Sequence, residues 1–142
     1  MPEPPFKFSA TTRVGFSDTD AQGVVYYGRY MPYFDLARVE YHRRLDMLRP
    51  GPQEREFVMR AMTVEYHAPA RFDDLIEVAV RIARIGTSSV TYEFVAHLER
   101  RVLAVTARQT LVLVDLATRR PSPVPDWWRE RIKRFEGADV EA

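Results

Sequence analysis

The sequence predicts an α+β protein in which one antiparallel sheet of about five strands curls around one long central helix. Three observations carry this. A run of apolar residues at helical spacing between Gly28 and Leu48 is too broad for a surface stripe, so the helix must be covered. After it the period changes to two, and three long strands follow one another through short turns, as in an antiparallel meander. A short strand and a polar, acidic turn stand directly before the helix.

The first ten residues hold Pro2, Pro4 and Pro5 and read as a loose arm. Thr11 to Phe16 alternates weakly and reads as a strand. Ser17 to Gly23 is turn chemistry, with Asp18, Thr19 and Asp20 inside it. The helix starts at Gly28 or near Pro32, since proline is tolerated only in a first turn. Tyr30, Tyr33, Phe34, Ala37, Tyr41, Leu45 and Leu48 share one face, Met31, Leu36 and Val39 widen it, and Arg38, Arg43 and Arg44 form the polar side. Pro50-Gly51-Pro52 ends the helix.

Phe57 to His67 reads as a strand, and Ala68 to Asp74 as a turn. Leu75 to Ile85 sends Ile76, Val78, Val80 and Ile82 to one side. Gly86-Thr87-Ser88-Ser89 is a tight turn. Val90, Tyr92, Phe94, Ala96 and Leu98 then alternate with polar neighbours, and a last long strand runs from Val102 to Asp115. Prolines 121, 123 and 125 break the pattern. Asp126 reads as the N-cap of a final helix, Trp127 to Phe135, with a frayed tail from Gly137. The whole is expected to form one domain, residues 1–142.

Composition excludes several classes. A formal net charge of +1 lacks the clustered basic charge of a nucleic-acid binder. With no cysteine, disulfides, thiolate chemistry and cysteine-based zinc sites are excluded. No window is apolar enough for a membrane span, and MPEPPFKFSA has no apolar signal core, so a cytoplasmic location is expected.

The chemistry concentrates before the helix. A carboxylate there can act on a group held at the helix N-terminus, where backbone N–H groups are free and the dipole favours negative charge. That pairing suits acyl transfer: an acid to attack or to activate water, and amides for the oxyanion. From spacing alone, Asp20 reads first as a turn carboxylate bonding nearby amides, and only second as a catalytic group. A calcium loop starting at Asp18 places Gly23 correctly but puts Gln22 and Arg29 where acids belong. A magnesium phosphotransferase of the D-x-D-x-T type would have Gln22 for Thr and lacks a lysine nearby. No metal or cofactor is expected.

The run F-x-D-T-D-x-x-G-V-V-Y-Y-x-x-Y followed by F-D-L-A-R-V-E resembles the signature of hot-dog-fold acyl-CoA thioesterases, most nearly the 4-hydroxybenzoyl-CoA thioesterase-like group. The resemblance extends from about Thr12 to about Leu116. It implies the hot-dog fold and hydrolysis of an acyl-CoA to a free acid and coenzyme A. It makes Asp20 the nucleophile or general base, and the backbone N–H of Tyr27 the oxyanion donor. Many relatives carry His where this chain has Tyr27, which leaves the amide's role intact. Asp18, Gly23, Val25 and Tyr26 become supporting residues. Gly86, Thr87, Ser88 and Ser89 become the turn that meets the nucleotide part of coenzyme A, without the cations some relatives carry there; Arg84, Arg100, Arg101 or a partner chain would supply them. The resemblance also implies a homodimer joined sheet edge to sheet edge, with sites at its interface, and a tetramer of two dimers.

Alternatives are a non-catalytic acyl-CoA-binding module and a hot-dog dehydratase. The second is disfavoured because no motif places His42, His67 or His97 beside an acid; all three read as structural. Glu40 matches a helix acid used in another branch, but Asp20 fills that role, so Glu40 and Arg38 read as structural. Arg129 and Lys133 read as a solvated face.

Overall fold

The computed structural model describes residues 2–49, 51 and 53–142. Strands β1 (Ser9–Arg13), β2 (Arg55–Tyr66), β3 (Leu75–Ile85), β4 (Ser89–His97) and β5 (Leu103–Asp115) form an antiparallel sheet in the order β1-β3-β4-β5-β2, with the two-residue β6 (Arg120–Pro121) paired to β5. Helices α1 (Tyr30–Arg44) and α2 (Asp126–Glu136) complete the chain. The sheet curls over α1, which is the hot-dog arrangement. β-Bulges in β2 between Met59 and Ala61, and in β3 between Ile82 and Arg84, add to the curl.

The core follows the two periods. From α1, Tyr30, Tyr33, Phe34, Ala37 and Tyr41 are buried. They meet Ile76, Val78, Val80 and Ile82 of β3 and Val90, Tyr92, Phe94 and Ala96 of β4 in one cluster. Phe34 lies 5.0 Å from Phe94, ring centre to ring centre. Burying side chains of this size contributes roughly 1.5–3 kcal/mol each, which holds a helix that has no side-chain cap at its start. The other flank of α1 is open: Leu36 and Val39 are 37% and 38% exposed, so the expected all-round cover is incomplete in the single chain.

Several boundaries differ from the expected ones. The first strand begins at Ser9, inside the expected loose arm, and ends at Arg13. Phe8 accepts the Val80 N–H, and Lys7 donates to the Glu136 carbonyl, so the arm is tied down. Helix α1 stops at Arg44 rather than Leu48; Asp46 turns the chain with φ of 59°, and Met47 re-enters the core. Leu45 and Leu48, which continue the helical spacing, lie beyond the helix end. Pro50 and Pro52, expected to stop the helix, lie outside the described residues. Asp126 is the first residue of α2, not its cap, which is Pro125. The tail is not frayed: Glu141 exchanges backbone hydrogen bonds with Ala83 and Ile85.

Candidate active site

The acidic turn folds back on itself. The Asp20 N–H donates to the Val24 carbonyl, and the Gly23 N–H donates to the Asp20 carbonyl, both at 2.9 Å. Gly23 has φ of 80° with open space around it, so the turn needs glycine for its backbone and not for room. Thr19 then pairs with Val25, and the Tyr26 N–H donates to the Asp18 carbonyl at 2.9 Å. Val25 is buried, and its N–H donates to the Ala70 carbonyl, pinning the returning arm to the loop before β3. The result is a small hairpin with Asp18 and Asp20 on one arm and Val25, Tyr26 and Tyr27 on the other.

Tyr27 opens a 3-10 turn, Tyr27–Arg29, that leads directly into α1. The first amides of a helical turn have no acceptor within it, so the Tyr27 and Gly28 N–H groups are left without an intrahelical partner at the positive end of the helix. The Tyr27 carbonyl is fixed by the Tyr66 hydroxyl of β2 at 3.0 Å. The side chains of Tyr26 and Tyr27 are exposed and lie against each other, centroids 4.3 Å apart.

The two acids are built for different work. Asp18 is a hub: Oδ2 accepts from the Gly15 N–H at 2.9 Å and from the Tyr33 hydroxyl at 2.7 Å, while Oδ1 accepts Nε and Nη2 of Arg29 at 3.1 and 2.8 Å. Burial alone would raise its pKa, but the bonds from Tyr33, Gly15 and Arg29 outweigh that and hold it below the usual aspartate value. A carboxylate so occupied cannot attack anything. Asp20 is half-buried, and its Oδ1 accepts only the Gln22 N–H at 2.8 Å. Among the described residues Oδ2 has no partner, so one oxygen of Asp20 is available to a substrate or a water.

Tyr33, Arg29 and Tyr66, which hold this site together, were not singled out from the sequence. Two are phenols at positions that read as core or strand, and only the fold shows where their hydroxyls end.

The Gly86–Ser89 turn is not part of this hairpin within one chain. It lies at the far end of β3, whose eleven residues extend about 35 Å at roughly 3.3 Å per residue. The acidic hairpin lies at the near end, where Val14 and Asp74 bond. Carbonyls anchor the turn from behind: Ser88 accepts the Leu113 N–H, Thr87 the Val124 N–H, and Gly86 the Arg129 Nη2 at 2.9 Å. Arg129 is therefore a half-buried contact to this turn, and not the solvated residue expected. Lys133 is exposed beside Glu130.

The remaining candidates are accounted for locally. Glu40 pairs with Arg43, and Arg38 with Asp35 and Gln109. His67 bonds Thr106, and His42 bonds the Tyr92 hydroxyl. No three His, Cys, Asp or Glu side chains among the described residues come together as a metal site. No helix among them is long and apolar enough to cross a membrane.

A fold of this kind, with a carboxylate folded onto a helix entrance, defines a class, and comparison with known proteins gives the family. Residues 14–132 match the thioesterase-like superfamily. The chain is 36% identical over 121 residues to the acyl-CoA thioester hydrolase YbgC of Escherichia coli O6:H1, covering 83% of this chain and 90% of that protein. It is 33% identical over 122 residues to the acyl-CoA thioesterase YbgC of Haemophilus influenzae, covering 83% and 88%. A crystal structure of a thioesterase from Thermus thermophilus, complexed with coenzyme A and Zn, superposes with a TM-score of 0.82 at 32% identity, covering 95% of this chain and 98% of that one. The chain belongs to the thioesterase-like superfamily, and its fold is that of the hot-dog thioesterases.

Proposed function

We propose that the protein is an acyl-CoA thioesterase in which Asp20 is the catalytic carboxylate and the Tyr27 amide holds the oxyanion. The observation that supports this most is the contrast between the two acids. Asp18 has its oxygens occupied by four bonds, while Asp20 keeps one oxygen open on the hairpin that presents Tyr27.

In the reaction, an oxygen nucleophile adds to the thioester carbonyl, and negative charge moves onto the carbonyl oxygen. The Tyr27 N–H at the helix entrance stabilises it. Collapse breaks the carbon–sulfur bond and releases coenzyme A as thiolate, which takes a proton. The nucleophile is either Asp20 Oδ2, giving an acyl–aspartyl anhydride that water then opens, or a water whose proton passes to Asp20. Both routes give a free acid and coenzyme A. One turnover with excess enzyme in ¹⁸O-water separates them: attack of water at the Asp20 carbonyl carbon leaves label in the protein, whereas direct hydrolysis puts it in the acid.

The supporting parts follow. Gly23 shapes the hairpin, Val25 anchors it, Tyr26 shields it, and the Gly86–Ser89 turn receives the nucleotide of coenzyme A. Because that turn and Asp20 sit at opposite ends of one sheet, the working site is assembled from two antiparallel chains. The open edge strand β2, with Val58, Met59 and Met62 exposed, is the joining surface, and two such dimers form a tetramer in the cytoplasm.

The test is thiol release from a panel of acyl- and aroyl-CoAs by wild type and Asp20→Asn. Turnover of some member, falling by about a hundredfold or more in Asp20→Asn, is the expected result. Binding without thiol release by either protein would overturn the reading in favour of a binding module.

A further inference from the structure

The proposed oxyanion donor is a backbone amide, and an amide aims only as well as its peptide is held. Tyr27 joins two peptide units. The first, Tyr26–Tyr27, carries the donor and is tied at both ends: the Tyr26 N–H donates to the Asp18 carbonyl at 2.9 Å, and the Tyr26 carbonyl accepts the Arg29 N–H at 2.8 Å. The second, Tyr27–Gly28, leads into the helix, and its N–H has no acceptor among the described residues.

Gly28 makes this second unit loose, since without a Cβ its rotation is poorly confined. Glycine is nevertheless required there. A Cβ on residue 28 would come to 3.0 Å from Cε2 of the Tyr26 ring, which lies over it. The chain thus carries a flexible residue directly after the amide that has to be aimed most closely.

The compensating tie comes from the sheet. Tyr66, the last residue of β2, donates its hydroxyl to the Tyr27 carbonyl at 3.0 Å, across 39 residues of sequence. Among the described residues this is the only hydrogen bond between β2 and residues 24–30. The Tyr66 backbone pairs with Val105 of the interior strand β5, and its ring stands against the buried Tyr30, 5.6 Å between centroids. A phenylalanine would make the same ring contact, so the hydroxyl is surplus to packing. Burial and the neighbouring Tyr27 phenol raise the Tyr66 pKa above the ordinary 10, which keeps the proton it donates at neutral pH.

We propose that Tyr66 is a positioning residue of the thioesterase site: its hydroxyl holds the Tyr27–Gly28 peptide in place and thereby aims the Tyr27 N–H at the oxyanion. The role rests on the thioesterase reading. Tyr66 touches no reacting atom; it lends the rigidity of the sheet to a turn with a loose residue in it. The gain falls in the transition state, where the oxyanion exists, and not in substrate binding.

The test compares Tyr66→Phe, which keeps the ring, with Tyr66→Leu, which loses ring and hydroxyl. Steady-state thiol release is measured on the full-length protein with the acyl-CoA that wild type turns over fastest. Tyr66→Phe should lower kcat and kcat/KM together by about tenfold, with KM within about twofold of wild type. Inhibition by free coenzyme A and the Tm should be unchanged. Tyr66→Leu should share the loss in kcat, because both variants lack the hydroxyl. A Tyr66→Phe protein with wild-type kcat overturns this proposal alone. So does a loss carried by KM or by a lowered Tm, which would make Tyr66 a packing residue only. No thiol release by wild type from any acyl-CoA overturns the thioesterase reading, and this proposal with it.

Discussion

Removing the Asp18 carboxylate tests whether this acid is a scaffold. In Asp18→Ala the Tyr33 hydroxyl and the Gly15 N–H lose a charged acceptor, at 2.7 and 2.9 Å respectively. Tyr33 is 6% exposed, so its hydroxyl finds little water. Bonds to a charged group contribute roughly 1.5–3 kcal/mol each. The Arg29 pair, with its arginine 46% exposed, adds about 1 kcal/mol at most. The expected loss is about 3–7 kcal/mol, which for a chain of this size lowers Tm by about 10–25 °C, read by circular dichroism at one fixed protein concentration. Tyr33→Phe removes one bond and should cost about half as much. The two share a contact, so the double variant should be little worse than Asp18→Ala. The sign with pH also follows. The folded pKa of Asp18 lies below the ordinary 3.8, so its contribution is present above that value and is lost as pH falls through the folded one. An Asp18→Ala protein within about 1 kcal/mol of wild type, or effects that simply add, would refute this account.

Three further outcomes follow. Glu136 is buried, accepts from the Tyr41 hydroxyl and the Ile82 N–H, and has no hydrogen bond to Oε1, which Lys7 Nζ approaches only to 3.8 Å. Burial outweighs those bonds and Lys7, raising its pKa above the ordinary 4.5, so the folded state loses stability as pH rises from 4.5 through the folded value. Glu136→Gln should abolish that segment of the stability–pH curve and be no less stable near neutral pH in urea unfolding. Gly23→Ala should cost about 1–2 kcal/mol from its φ of 80° alone, with a fall in thiol release that tracks the hairpin's distortion. Phe34→Ala, a fully buried ring against Phe94, should cost about 3–5 kcal/mol by urea unfolding.

The parts of the fold that repeat were legible because repetition is a sequence signal. Leu75–Ile85 was placed to the residue because its alternation has turns on both sides. The ends of α1 were not, because Leu45 and Leu48 continue the helical spacing after the chain has left the helix, Leu45 for a core contact. The arm misled through its prolines: Phe8 and Lys7, just beyond them, make the contacts. At the candidate site the different surroundings of Asp18 and Asp20 show only through their partners, since Tyr33 and Arg29 are distant enough in sequence that nothing marks them as ligands of one carboxylate.

A site assembled from two chains makes a demand that a one-chain site does not. Take Asp20→Asn as one inactive parent and Thr87→Asp/Ser88→Asp, which sets negative charge against the coenzyme A phosphates, as the other. In a mixed dimer one site holds both lesions, and the other joins an intact Asp20 to an intact turn. Random pairing makes about half the dimers mixed, each with one good site of two. Co-expressed parents should thus recover about a quarter of wild-type thiol release at low substrate, although neither is active alone. If Asp20 and the turn served one another within a single chain, every chain in the mixture would carry a lesion and nothing would be recovered. The roughly 35 Å of β3 between them is the reason to expect the quarter.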